Sequence, residues 1–179
     1  MTKADLALFP YKLFNSIYKK NYWLYRLLYF KYKAFKDRRE VKLVRKIVRP
    51  GMTAIDVGAN VGFYTVLMAS LVGENGKVHA FEPERENFEH LKQETKKYRN
   101  IKINRTAVGS VSGKVDLFVS GELNVDHLAY DDGGKRKRTH VPSVSLDKYM
   151  GNEKGDFAKI DTQGYEYQVL MGMKKIIRN

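Results

Sequence analysis

Apolar positions change their period along the chain, and each change marks an element. Between Phe9 and Phe35 they recur every third or fourth residue. Tyr11, Tyr18, Tyr22, Tyr25, Tyr29 and Tyr32 fall along one face, with Lys12, Lys19, Lys20, Arg26, Lys31 and Lys33 mostly off it, which predicts an amphipathic helix or helix pair. Thr2 with Asp5 resembles a capping box and Pro10 suits a first helical position, so a short helix, a break and a long helix are expected. Another helix is predicted from about Lys36 to Val48, with Val41, Val44 and Val48 on one side and Pro50-Gly51 as its stop. Short β-branched runs then alternate with helical stretches. A strand runs into Asp56, an apolar helix spans about Val61 to Val72, and a second strand covers Val78 to Phe81. A charged helix carries Phe88, Leu91 and Tyr98 between Glu84 and Tyr98, and a third strand spans Ile101 to Val108. This alternation predicts a parallel sheet with helices on both faces. Past Gly109, Val115–Val119 and His140–Ser145 predict an antiparallel pair joined by a polar loop, Gly121 to Thr139, with Pro142 marking an edge or partial strand. A last strand, Phe157 to Asp161, precedes a helix to about Ile177.

The chemistry is concentrated where these strands end. Ile55-Asp56-Val57-Gly58-Ala59-Asn60-Val61-Gly62-Phe63 takes a strand through an acid into a tight loop and opens a helix. Gly58 and Gly62 let the backbone approach a ligand, Asn60 tolerates positive φ, and the free N–H groups of the helix point into the loop. Glu82 ends the next strand, placed to accept both hydroxyls of a ribose. The unit is suited to a nucleoside. A dinucleotide loop would need glycine at positions 58, 60 and 63, where Gly58, Asn60 and Phe63 stand, and no phosphate-loop motif occurs. The common reader that remains for D-x-G-x-N-x-G is a methyltransferase holding S-adenosylmethionine. Asp161, at the end of the last strand, is expected to face the same crevice as Asp56 and Glu82. A paired-carboxylate hydrolase competes for these acids, but the glycine loop has no role in that chemistry.

Composition adds limits. The 179 residues are 43% hydrophobic, enough for one domain with a real core, and the absence of cysteine excludes disulfides, thiolate metal sites and cysteine nucleophiles. No signal peptide or membrane span is read from the sequence, so a cytoplasmic location is expected. Charge is uneven: residues 1–50 hold 14 Lys/Arg against 3 Asp/Glu, and residues 51–179 hold 19 against 17. Two parts are therefore expected, a basic, aromatic-rich helical segment over 1–50 and a cofactor-binding domain over 51–179. The first reading of the leader is a face packed on the core, with solvated lysines. The second is peripheral membrane contact through residues 9–35, and nucleic-acid contact is disfavoured. In the polar loop, His127 is a candidate base and Lys135-Arg136-Lys137-Arg138 reads first as a solvated tip.

Five ordered blocks carry a resemblance. They are Arg49-Pro50-Gly51; Ile55 to Tyr64 with Phe81-Glu82-Pro83; Ala107-Val108-Gly109 with Gly113; Ser145-Leu146-Asp147; and Lys159-Ile160-Asp161 with Gln163-Gly164 and Glu166. Over roughly residues 40 to 177 the chain resembles the FkbM family of methyltransferases. The resemblance implies a class I, Rossmann-like α/β fold and S-adenosylmethionine as cofactor. It also implies O-methyl transfer to hydroxyls of sugars, glycolipids or similar small molecules. By the same resemblance Asp56, Gly58, Ala59, Asn60 and Gly62, followed by Phe63 and Tyr64, hold the methionine part. Glu82 with Pro83 takes the ribose, and Thr106 and Ala107 line the adenine edge. Gln163 stands where many members have glutamate, so a base is sought among Asp161, Glu166 and His127 in that order, with Asp161 also a candidate for the cofactor's amino group. No metal site is predicted. About seven strands are implied, more than the chain holds after Asp161, so a C-terminally truncated form or a binding module without turnover is expected. In the implied order 3-2-1-4 the outer edge of Phe157–Asp161 would pair with a second copy, as a homodimer, or be covered by the leader. RNA is the other acceptor considered, although Asp161-Thr162-Gln163-Gly164 lacks the Asp/Asn-Pro-Pro-aromatic motif of base N-methyltransferases.

Overall fold

A computed structural model describes residues 21–119 and 136–178. The chain divides into two compact units between Leu43 and Val44. The first unit contains α1 (Tyr22–Lys36), where Asn21 accepts at its Oδ1 from Leu24 N (3.1 Å) and so holds the first turn. At the other end Lys33 pairs with Asp37 at 2.7 Å, next to the helix C-terminus that favours cations. Tyr25 is buried and stacks on Tyr29 with ring centroids 5.3 Å apart. The expected short helix around Thr2, Asp5 and Pro10 lies outside the described residues. α2 (Arg38–Ile47) follows, and Val41, Val44 and Val48 do line one side, with Val44 and Val48 buried.

The second unit is built on a four-stranded parallel sheet in the order β3-β2-β1-β7, with the strands β1 (Thr53–Val57), β2 (Lys77–Phe81), β3 (Ile101–Asn104) and β7 (Phe157–Ile160). This is the expected 3-2-1-4 arrangement. β1 is buried along nearly its whole length because both of its faces are covered. On one face α3 (Phe63–Val72) and α4 (Arg85–Thr95) pack, with Leu91 against Ala80 and Ala59. On the other, Ile55, Val57 and Phe81 meet Leu146, Met150, Val169 and Met173. Those four side chains come from α5 (Leu146–Met150), from α6 (Glu166–Met171), and from Met173, just before α7 (Lys174–Arg178).

Several sequence expectations need correction. The run Ile101–Val108 is not one strand: the Asn104 amide turns back to the Ala80 carbonyl (3.2 Å) and the Thr106 hydroxyl donates to the Pro142 carbonyl (2.8 Å). The chain is thereby handed to a second sheet, β4-β6-β5, formed by β4 (Ala107–Val108), β5 (Gly113–Val119) and β6 (Lys137–Val144). Pro142 lies in the middle strand of that sheet, not at an edge. It is tolerated because β4 pairs with β6 only at Ser143 and Val144, beyond the proline. α5 was not expected, and the last helix is two helices, because the Asp147 carboxylate accepts from Lys175 N and Ile176 N and starts a new one. Finally, α3 begins at Phe63 instead of near Val61, since the loop runs on through Gly62, whose φ is +95°.

A polar cluster is buried on the α5 side of the sheet. His79 Nδ1 lies 3.0 Å from the Tyr149 hydroxyl, which also accepts from Asn104 at 3.1 Å, and Glu153 stands 3.6 Å from His79 Nε2. Burial holds the His79 imidazole below its ordinary value, against the upward pull of Glu153, with Lys102 and Lys77 pushing it down further. Burial lowers His90 as well, against nearby Glu86, Glu84 and Glu89. A lowered folded value means that the unfolded chain binds the proton first, so stability is present above the unfolded value, near 6.5, and falls as pH drops below it. We predict a lower Tm at pH 5.5 than at pH 7.5, with the slope reduced in His79→Gln. A Tm that rises on acidification through this window would contradict the buried neutral imidazole.

Candidate functional site

The loop after β1 closes over the end of β2. Gly58 N and Ala59 N both donate to the Phe81 carbonyl at 3.0 Å, and Asn60, with φ +51°, turns its N–H to the Glu82 carboxylate at 2.7 Å. The other Glu82 oxygen accepts from Glu84 N at 3.0 Å. Two backbone donors therefore fix the orientation of a carboxylate that is only 5% exposed. Gly58 has φ +76°, and a Cβ there would run into the Asp161 carbonyl. Only glycine lets the loop and the end of β7 touch backbone to backbone.

Beneath this loop lies a buried charge. Asp56 is fully buried; it accepts from the Thr65 hydroxyl at 2.6 Å and faces Lys159 Nζ at 3.4 Å. Lys159 sits opposite Asp56 in the β1–β7 register. Its ammonium donates to the Gly58 carbonyl (3.0 Å), lies 3.6 Å from Asp161 and sits over the Tyr64 ring at 5.3 Å. One cation thus ties together both strand ends and the glycine loop. Asp161 remains 54% exposed, unlike Asp56.

Past Asp161 the backbone enters the left-handed region twice, at Gln163 (φ +53°) and Gly164 (φ +103°). Glu166 holds this turn, accepting from Thr162 N at 3.0 Å and Gly164 N at 2.9 Å. Partial burial raises the Glu166 carboxyl, but hydrogen bonds from the backbone N–H groups of Glu166, Thr162 and Gly164 outweigh it and keep it below its ordinary value.

The other candidates fall into two groups. Tyr64 is buried and meets Phe63 edge to face at 5.1 Å, Ala59 is buried, and Pro83 is half-buried beside Glu82, so all of these adjoin the loop. Ala107 instead fills the core of the second sheet with Leu117 and Val141, and the Thr106 hydroxyl is engaged by Pro142, so neither side chain is presented to the loop. His127 lies outside the described residues. Among the described residues, no group of three or more His, Cys, Asp or Glu side chains is placed to hold a metal ion. Sequence reasoning assigned no role to Lys159. The available signal was a lysine inside an apolar strand, two residues before an acid and paired with a strand that carries another.

The sequence profile of the Methyltransferase FkbM domain matches residues 56–179. The ribosomal RNA large subunit methyltransferase E of Hahella chejuensis is 42% identical over 52 residues, 26% of this chain and 25% of that protein. The structure of a methyltransferase FkbM from Methylobacillus flagellatus KT superposes with a TM-score of 0.53 at 15% identity, over 97% of this chain and 46% of that one. A SAM-dependent methyltransferase from Aquifex aeolicus is 27% identical over 44% of this chain and 43% of its own, with a TM-score of 0.36. The chain thus spans about a quarter of that curated relative and less than half of these two solved structures.

Removing Lys159 would leave the Asp56 carboxylate buried without its cation. Lys159→Met is expected to cost about 3–5 kcal/mol of stability, the range for breaking one partner of a buried pair. Urea denaturation measures it, and a loss below about 1 kcal/mol would mean that Thr65 alone compensates Asp56.

Proposed function

The chain belongs to the FkbM family of methyltransferases, and on that premise we propose that it binds S-adenosylmethionine and methylates a hydroxyl oxygen of a sugar, glycolipid or related small molecule. The observation that carries the cofactor reading is Glu82, a buried carboxylate at the end of β2 aimed by Asn60 N and Glu84 N, beside a loop that only glycine can form at position 58. This arrangement fits an adenosyl group, whose ribose hydroxyls the carboxylate would accept from. Acids at the carboxyl ends of parallel strands also suit a ligand that carries positive charge. When bound, S-adenosylmethionine supplies a methyl group on a positively charged sulfur, open to displacement by oxygen.

Among the candidate bases, geometry favours Asp161. Its carboxylate is half exposed at the strand end, where an acceptor hydroxyl can reach it, and Lys159 Nζ lies 3.6 Å from it. Glu166 has its oxygens committed to Thr162 N and Gly164 N, so its role is to hold the turn that follows Asp161. Positioning of the acceptor oxygen can supply on the order of 7–11 kcal/mol, against a factor of about 10²–10⁴ from proton removal. The rigid turn is therefore expected to matter more than the base. Oxygen is preferred over a base nitrogen because Asp161-Thr162-Gln163-Gly164 lacks the Pro-Pro-aromatic motif that base N-methyltransferases place here.

One observation favours a second acceptor. The 52-residue similarity is to a ribosomal RNA methyltransferase, which keeps an RNA hydroxyl in view. Transfer of labelled methyl to sugar and glycolipid acceptors, compared with transfer to ribosomal RNA, separates the two. For the cofactor, Glu82→Ala is expected to weaken S-adenosylmethionine binding by about 1.5–3 kcal/mol, the range for hydrogen bonds to a charged group. Calorimetry on the folded variant measures it, and unchanged affinity would remove the ribose assignment.

A further inference from the structure

The first unit carries its apolar residues on the wrong side for a helix that only packs inward. Trp23, Leu24, Leu27, Leu28, Tyr32 and Phe35 recur at the three- and four-residue spacing of one broad helix face, and all of them are exposed. Trp23 is 69% exposed and Phe35 72%. It is the face with Tyr22, Tyr25 and Tyr29 that is buried or half-buried. Scattered surface leucines need no explanation, but six large apolar side chains on one side of a fifteen-residue helix do.

Cations rim this face. The Arg26 guanidinium lies 5.7 Å from the Trp23 ring and 5.2 Å from Phe30, the Lys36 ammonium 5.7 Å from Tyr32, and the Arg38 guanidinium 5.8 Å from Phe35. Each places a positive head at the border of an aromatic surface, as long basic side chains do between an apolar layer and water. Residues 21–43 hold seven Lys/Arg against two Asp/Glu, and one of those acids, Asp37, is paired with Lys33. No helix among the described residues is long and apolar enough to cross a membrane.

We propose that α1 lies in the plane of an anionic lipid surface, with Trp23, Leu27 and Phe35 in the headgroup and acyl boundary and the rim cations on the lipid phosphates. Charge complementarity selects this occupant. A second copy would bring two strongly basic helices together. A polynucleotide would find its phosphates matched but the leucines idle, since aliphatic side chains neither stack on bases nor bond phosphates.

Trp23 is the sole tryptophan in the chain and stands on the face in question, so its emission reports the contact directly. The full chain is mixed with vesicles of about three parts phosphatidylcholine to one of phosphatidylserine at low salt. A blue shift of Trp23 emission is expected, with quenching by bromine on the lipid chains, co-sedimentation, and release as salt rises. Leu24→Asp with Leu27→Asp should lower partitioning at least about tenfold at unchanged helical content. Three results would overturn the proposal. One is Trp23 emission unaltered by vesicles at low salt. Another is a lipid-free blue shift that grows with protein concentration, which assigns the face to a second copy. The third is displacement of the vesicles by an equal concentration of single-stranded RNA, which assigns it to nucleic acid.

Discussion

The second unit depends on a problem of like charge. Parallel strands that end at one edge bring Asp56, Glu82 and Asp161 to neighbouring positions, and one of these acids is taken out of water altogether. A buried carboxylate survives only if it is hydrogen-bonded and paired. Thr65 supplies the hydrogen bond and Lys159 the charge, and the same ammonium also holds the Gly58 carbonyl. The loop geometry is in this sense an electrostatic product. Its shape follows from where a single cation can reach two acids and one carbonyl.

The three acids then have different environments and different capacities. Asp56 is spent on structure, buried against Thr65 and Lys159. Glu82 is buried and fixed by the backbone donors Asn60 N and Glu84 N. Asp161 stays in contact with water, and the turn behind it is fastened by Glu166. A common sequence pattern, a strand ending in an acid, thus yields three roles because burial and hydrogen-bond partners differ.

What could be read from the sequence was local. Glycine and asparagine at positions 58, 60 and 62 signal a left-handed loop because the cost of positive φ is set by the residue itself. The parallel sheet followed from alternating strand and helix patterns, whereas its order 3-2-1-4 came only with the family resemblance, and Glu82 was legible as an acid at the end of a strand. What escaped depended on partners distant in the chain. The bond from Lys159 to Gly58 spans 101 residues, and the departure of Thr106 toward Pro142 spans 36. No window of sequence contains either pair. For α1 the periodicity of the tyrosines grouped Tyr22, Tyr25 and Tyr29, which are buried or half-buried, but it also put Tyr32 with them, and Tyr32 is exposed, while Tyr11 and Tyr18 lie outside the described residues. It could not say that the leucines, Trp23 and Phe35 would form the outward one, because a helix that is apolar nearly all round carries no label for inside.

The contact of the Gly58 position with the Asp161 carbonyl has an evolutionary reading. Where two backbones touch, no side chain can be traded for another, so this contact is closed to variation by substitution. A library that randomises position 58 should return glycine almost alone, while one at Asp161, whose side chain points to solvent, can return many folded sequences. Descendants of this chain could therefore vary the side chains around the loop and never this contact. A lineage whose loop had lost that glycine would be lost as a fold before any new side chain around it could be tried.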